Sequence, residues 1–224
     1  MAHRASLSIL GGLLLTHVFT QAPAIQWQKC LGGSGLDQAT SIQQITDGGY
    51  IVAGWTGSND GDIIGNHGAD DFWVVKLDGA GTLVWQKALG GSDDDRANSI
   101  QQTSDGGYIV AGYTLSSDGD VTGNHGGFDC WIVKLDAAGY LIWQKTLGGS
   151  GGDQASSIRQ TTDGGYIVAG WTGSNDGDVS GNNGLNDVWV VKLDASGSII
   201  WQNALGGSYN DDAASVQQIG SGEY

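Results

Sequence analysis

Apolar and polar positions alternate in short runs along most of this chain, and the runs are broken by glycine and aspartate. In Trp73-Val74-Val75-Lys76-Leu77, Trp73, Val75 and Leu77 lie on one face and Val74 projects from the other, so the strand carries apolar side chains on both faces. Strands are predicted over Ser41–Ile45 and Tyr50–Thr56, joined by Thr46-Asp47-Gly48-Gly49, a strong hairpin signal. A second hairpin is predicted from Phe72–Asp78 and Thr82–Leu89, turning at Gly79-Ala80-Gly81, and a long loop from Gly57 to Asp71 links the two.

This unit recurs. Trp27, Trp85, Trp143 and Trp201 are spaced by 58 residues, as are Tyr50, Tyr108, Tyr166 and Tyr224. Such a period means a repeat architecture. Four antiparallel strands in a repeat of this length predict an all-β fold, a β-propeller of four-stranded antiparallel blades, with a β-helix as the second choice. The repeat units run over about 27–84, 85–142 and 143–200, with a partial unit at 201–224. Naming the strands of a blade a to d, the order is a lone d strand at Ile25–Cys30, three complete sets, and a final a strand at Ala213–Ile219. With the next b and c strands missing the ring is incomplete, and the chain is expected to be a fragment of a longer protein.

Composition agrees with strands. Glycine occupies 40 positions and proline one, and 23 of the 24 acidic residues are Asp, which favours turns over helix interiors. The net charge of −15 makes nucleic acid an unsuitable partner. Residues 1–24 read as a signal peptide: an early positive charge at Arg4, a mostly apolar stretch from Leu7 to Phe19, and Ala22-Pro23-Ala24 with the small-x-small pattern of a cleavage site. Residues 25–224 then form the propeller repeats, with no membrane span in the mature chain and a secreted or cell-surface location. Cys30 and Cys130 fall at unrelated positions of the repeat and read as small buried hydrophobes rather than a disulfide.

The spacing Asp-x-x-Gly-x-x-x-Trp, at Asp78–Trp85, Asp136–Trp143 and Asp194–Trp201, resembles the tryptophan-docking motif of pyrroloquinoline-quinone-type propellers. That resemblance implies that the Trp of one blade packs on the next. Lys76, Lys134 and Lys192 replace the family's Ala, and the loop is one residue shorter, so the resemblance carries the fold rather than the cofactor. From Trp27 to Tyr224 the whole unit is similar to secreted bacterial β-propeller repeat proteins, including large surface proteins of Bacteroidetes-like bacteria, which implies fold and compartment and brings no catalytic residues.

Chemistry is expected first in the long loops. Asp60, Asp62, Asn66 and Asp71 are in register with Asp118, Asp120, Asn124 and Asp129, and with Asp176, Asp178, Asn182 and Asp187. Alternating carboxylates on a glycine-bent loop suit a structural calcium ion, which takes six to eight oxygens; the alternative is a turn-rich loop whose Asp and Asn cap local amides. Asp37, Asp95, Asp153 and Asp211 also recur, and read as strand-entry hydrogen-bonding residues. Trp55, Tyr113 and Trp171 end the b strands and could stack on sugars, or pack at blade edges. His67 and His125 give way to Asn183 in the third repeat, and the repeats are nearly identical, so no unit is set apart as a catalytic centre. The expected function is a non-catalytic scaffold or binding module for a protein or glycan ligand at the cell surface. The alternatives are a carbohydrate-binding propeller and a propeller hydrolase whose site lies in missing sequence.

Overall fold

A computed structural model describes residues 24–220 and 222–224. The signal-peptide reading of residues 1–24 falls almost wholly outside them. Twelve strands form three four-stranded antiparallel sheets, each a meander in chain order. The first blade holds β1 (Asp37–Gln44), β2 (Tyr50–Thr56), β3 (Asp71–Leu77) and β4 (Leu83–Leu89). The second holds β5 (Asp95–Gln102), β6 (Tyr108–Thr114), β7 (Asp129–Leu135) and β8 (Leu141–Leu147). The third holds β9 (Asp153–Gln160), β10 (Tyr166–Thr172), β11 (Asp187–Leu193) and β12 (Ile199–Leu205). The fold is all-β and propeller-like, with an incomplete ring of blades, and among the described residues no helix is long and apolar enough to cross a membrane.

Local chemistry fixes the turns. Asp47 Oδ1 accepts the Gly49 N–H at 2.9 Å, closing the β1–β2 turn, and Asp78 Oδ1 accepts from Ala80 and Thr82, closing the β3–β4 turn. The a strands begin four residues earlier than predicted, at Asp37, Asp95 and Asp153. In the first blade a bulge between Ala39 and Ser41 breaks the alternation that marked the strand from Ser41 onward. It brings the Gln38 carbonyl and the Ala39 backbone against Gly54, where a Cβ would collide with both, so glycine is required there.

The blades stack face to face, as the two-faced pattern requires. Phe72, Val74, Leu89, Ile51 and Ala53 of the first blade pack against Ile100, Val110, Trp131, Val133 and Leu135 of the second. The second junction repeats this with Ile132 and Leu147 against Ile158, Trp189, Val191 and Leu193. Burying each large side chain of this kind stabilises the fold by on the order of 2–3 kcal/mol. Trp85 packs on Gly139 and meets Tyr108 edge-on at 5.7 Å, both in the following blade, and Trp143 does the same to Gly197 and Tyr166 at 5.8 Å. Tryptophan docking between blades is therefore a feature of the structure.

Two predicted strands are corrected. Residues 25–30 and 213–219 join no sheet among the described residues, because a strand needs a hydrogen-bonded ladder: the Ala213 N–H reaches the Gly170 carbonyl at 3.3 Å and Ile219 bridges Glu223, but no ladder forms. Their side chains nevertheless occupy the repeat positions. Trp27 packs on Gly81 and Tyr50. The Val216 N–H donates to Ser157 Oγ at 3.3 Å, as Ile100 does to Ser41 and Ile158 to Ser99. Cys30 and Cys130 are both free; Cys130 is buried as expected, but Cys30 is exposed, since it lies on the unpaired segment.

Candidate functional site at the blade junctions

The loop residues singled out in the sequence do not converge on one another within a loop. In each blade the b–c loop instead reaches across to the Gly-Gly linker that enters strand a. Asp60 Oδ1 accepts the Ser34 N–H at 2.7 Å, Asp118 the Ser92 N–H at 2.8 Å, and Asp176 the Ser150 N–H at 2.7 Å. These bonds hold the Asp60 and Asp176 carboxyls below the usual carboxylate range. Asp62, Asp120 and Asp178 accept longer bonds of 3.2, 3.4 and 3.3 Å from the N–H groups of Gly32, Gly90 and Gly148.

Asn66, Asn124 and Asn182 serve as loop clamps. The Asn66 amide donates to the Thr56 and Ala69 carbonyls at 3.0 and 3.1 Å and accepts the Gly68 N–H at 2.8 Å. Asn124 donates to Ser116 O at 3.1 Å, and Asn182 to Thr172 O at 3.2 Å. Their polar groups are committed to backbone.

Asp71, Asp129 and Asp187 open the c strands, fully buried. Oδ2 of each accepts the N–H of the residue four positions earlier, and in the first two blades also meets a histidine Nδ1, of His67 or His125, at 2.7 Å. Oδ1 of all three has no hydrogen-bond partner. Burial pushes the Asp71 and Asp129 carboxyls up, against the histidine contacts. Asp95, at the entry of strand a in the second blade, accepts from the Gly91 N–H at 2.7 Å and Ser116 Oγ at 2.9 Å, which is the strand-entry role expected for it. Burial dominates there too, and with Asp71 nearby the carboxyl is pushed up to about 6. Among the described residues no group of three or more His, Cys, Asp or Glu side chains is gathered as a ready metal centre.

The b-strand aromatics take part in packing. Arg96 lies over the Trp55 ring, 4.7 Å from its centroid, while its guanidinium pairs with Asp70 at 2.5 Å. Phe128 bridges Tyr113 at 5.3 Å and Trp171 at 5.4 Å, linking two blades. All three candidate aromatics keep part of their surface in solvent. The grouping that spacing alone missed is the junction itself. Its signal was the recurrence of Asp37, Asp95, Asp153 and Asp211 in step with the loop aspartates.

No protein-family model matches the chain. It is 28% identical over 142 residues to the regulatory protein FlaEY of Caulobacter vibrioides, an overlap covering 58% of this chain and 14% of that protein. A crystal structure of a protein of unknown function from Bacteroides caccae aligns over 75% of this chain and 67% of its own, at 13% identity and a TM-score of 0.28, too low to carry an argument.

Proposed function

We infer that the chain is a non-catalytic scaffold or binding module of the secreted or cell-surface bacterial propeller type. The observation that carries this reading is the threefold repetition of one clasp between loop and linker. The same loop aspartate clasps the same linker amide in every blade, and the same asparagine clamps every loop, so these polar residues serve construction alike in all three repeats. The apolar stretch at residues 7–19 followed by Ala22-Pro23-Ala24 supports export. The partly exposed Trp55, Tyr113 and Trp171 at one end of the b strands favour a glycan as the alternative ligand to a protein.

The test is expression of the full chain in a bacterial host, N-terminal sequencing of exported product, and a glycan array. Cleavage near Ala24 is the expected result, and a chain retained in the cytoplasm with Met1 intact would remove the compartment. Array binding abolished in Trp55→Ala and Trp171→Ala would make the module a lectin; array binding that survives both would exclude these aromatics as the sugar platform.

A further inference from the structure

We propose that the blade junctions bind divalent cations, calcium foremost, in an oxygen cradle built by two successive blades rather than within one loop. At the first junction a Cβ placed on Gly90 would lie 2.5 Å from Asp95 Oδ2 and 2.7 Å from Asp71 Oδ1. Two carboxylates from different blades thus close on one glycine, where any side chain would push them away. Asp120 Oδ2 comes to the same glycine from the b–c loop, at 3.4 Å from its N–H. The second junction repeats the set. Gly148 is flanked by Asp153 Oδ2 at 2.5 Å and Asp129 Oδ1 at 2.9 Å, with Asp178 Oδ2 at 3.3 Å from the Gly148 N–H. At the third, Gly206 is flanked by Asp187 Oδ1 at 2.5 Å and Asp211 Oδ2 at 2.6 Å.

The acidic residues alone would not make a site. What points to a ligand is the c-strand carboxylate: Asp71, Asp129 and Asp187 are fully buried, and in each the oxygen facing the cradle, Oδ1, has no hydrogen-bond partner. A buried carboxylate oxygen left unpartnered costs several kcal/mol unless something compensates it, and here it is left so at the same place three times. Among the described residues the Lys and Arg ion pairs engage Asp47, Asp70, Asp94, Asp105 and Asp163, none of them in the cradles. A bound cation supplies the missing positive charge. The donors fit a hard ion: carboxylate oxygens with a serine hydroxyl beside them, the histidine Nδ1 being turned to the other carboxylate oxygen. Phe72 and Val188 stand where the second junction has Cys130, so a thiol is no part of the repeated set. Calcium takes six to eight oxygens, so the carboxylate pair would hold the ion with the neighbouring Asp120 or Asp178 and water completing its shell.

Calorimetric titration of the chelator-treated full chain with calcium chloride near neutral pH tests this. Two equivalents are expected, one at each junction where a loop aspartate, Asp120 or Asp178, lies near the carboxylate pair. Asp71→Asn and Asp129→Asn should each remove one and together remove both, whereas Asp60→Asn with Asp176→Asn should leave both. A third equivalent lost in Asp187→Asn would extend the same site to the last junction. If the double variant does not fold by circular dichroism, Gly148→Ala decides, since it fills one cradle without changing charge and should delete one equivalent while the first junction still binds. No saturable heat at millimolar calcium, or full stoichiometry in the Asp71→Asn/Asp129→Asn variant, overturns the proposal. So does loss confined to the Asp60→Asn/Asp176→Asn variant, which would return calcium to the single loops.

Discussion

Ile42, Ile100 and Ile158 are the same residue in the same strand of three successive blades, yet Ile42 is 63% exposed while the other two are at most 3% exposed. At the other end Leu205 is 57% exposed where its counterparts Leu89 and Leu147 are buried. Side-chain chemistry and strand pairing are alike in all three blades, so the neighbouring blade alone decides burial. Most of the apolar area is therefore hidden between sheets rather than within one, and stability approximates a sum of blade and junction contributions.

Truncating a side chain that only a neighbouring blade buries should be the most costly change. Ile158→Ala leaves a cavity at the second junction and should lower unfolding free energy by about 2–5 kcal/mol, whereas Ile42→Ala should stay within about 0.5 kcal/mol. Urea denaturation followed by tryptophan fluorescence measures both. Equal losses would mean that the junctions are not where the fold is held together.

A middle-sized effect separates backbone strain from interblade contact. Gly106 and Gly139 both have positive φ, 84° and 82°, but a Cβ on Gly106 meets open space, while one on Gly139 comes 3.0 Å from the Trp85 ring. Alanine at either position should cost roughly 1–2 kcal/mol in strain. Gly139→Ala should cost more and also shift the near-ultraviolet dichroism of the docked tryptophan. An identical response from the two variants would show that Trp85 contributes nothing specific at the junction.

These contrasts also show what the sequence could reveal. Strand type and the b strands Tyr50–Thr56 and Tyr108–Thr114 were legible because period-two alternation and a 58-residue repeat are local or periodic signals, whereas the docking of Trp85 and Trp143 was implied only by the resemblance of Asp-x-x-Gly-x-x-x-Trp to a known motif. The start of each a strand was not, because Asp37-Gln38-Ala39 lacks β-branched and aromatic residues and runs into a bulge. The junction site was hidden for a different reason. Asp71 and Asp95 are 24 residues apart and belong to different blades, so grouping by loop placed Asp71 with Asp60 and Asn66 instead of with the residue it faces across Gly90.

One repeated ion pair also differs in burial from blade to blade. Lys134 and Lys192 are buried and pair with Asp105 and Asp163 at 2.9 Å, while Lys76, paired with Asp47 at 2.8 Å in the first blade, is more exposed. Burial alone would push the Asp105 carboxyl up, but hydrogen bonds from Thr103, Lys134 and Gly107 outweigh it and hold the carboxyl at about 2. The folded state thus releases this proton more readily than the unfolded chain, whose carboxyl has the ordinary value of 3.8. The stabilisation is present above that value and is lost as pH falls from about 4 through about 2. Because the Asp105 side chain is more than half exposed, solvent screening limits the contribution to below about 1 kcal/mol. Asp105→Asn should lower stability at neutral pH by up to that amount and flatten that part of the acid-unfolding curve, so that variant and parent converge near pH 2. An unchanged acid limb would mean that the Lys134 ammonium is held by the Leu135 carbonyl, at 3.1 Å, and not by its carboxylate.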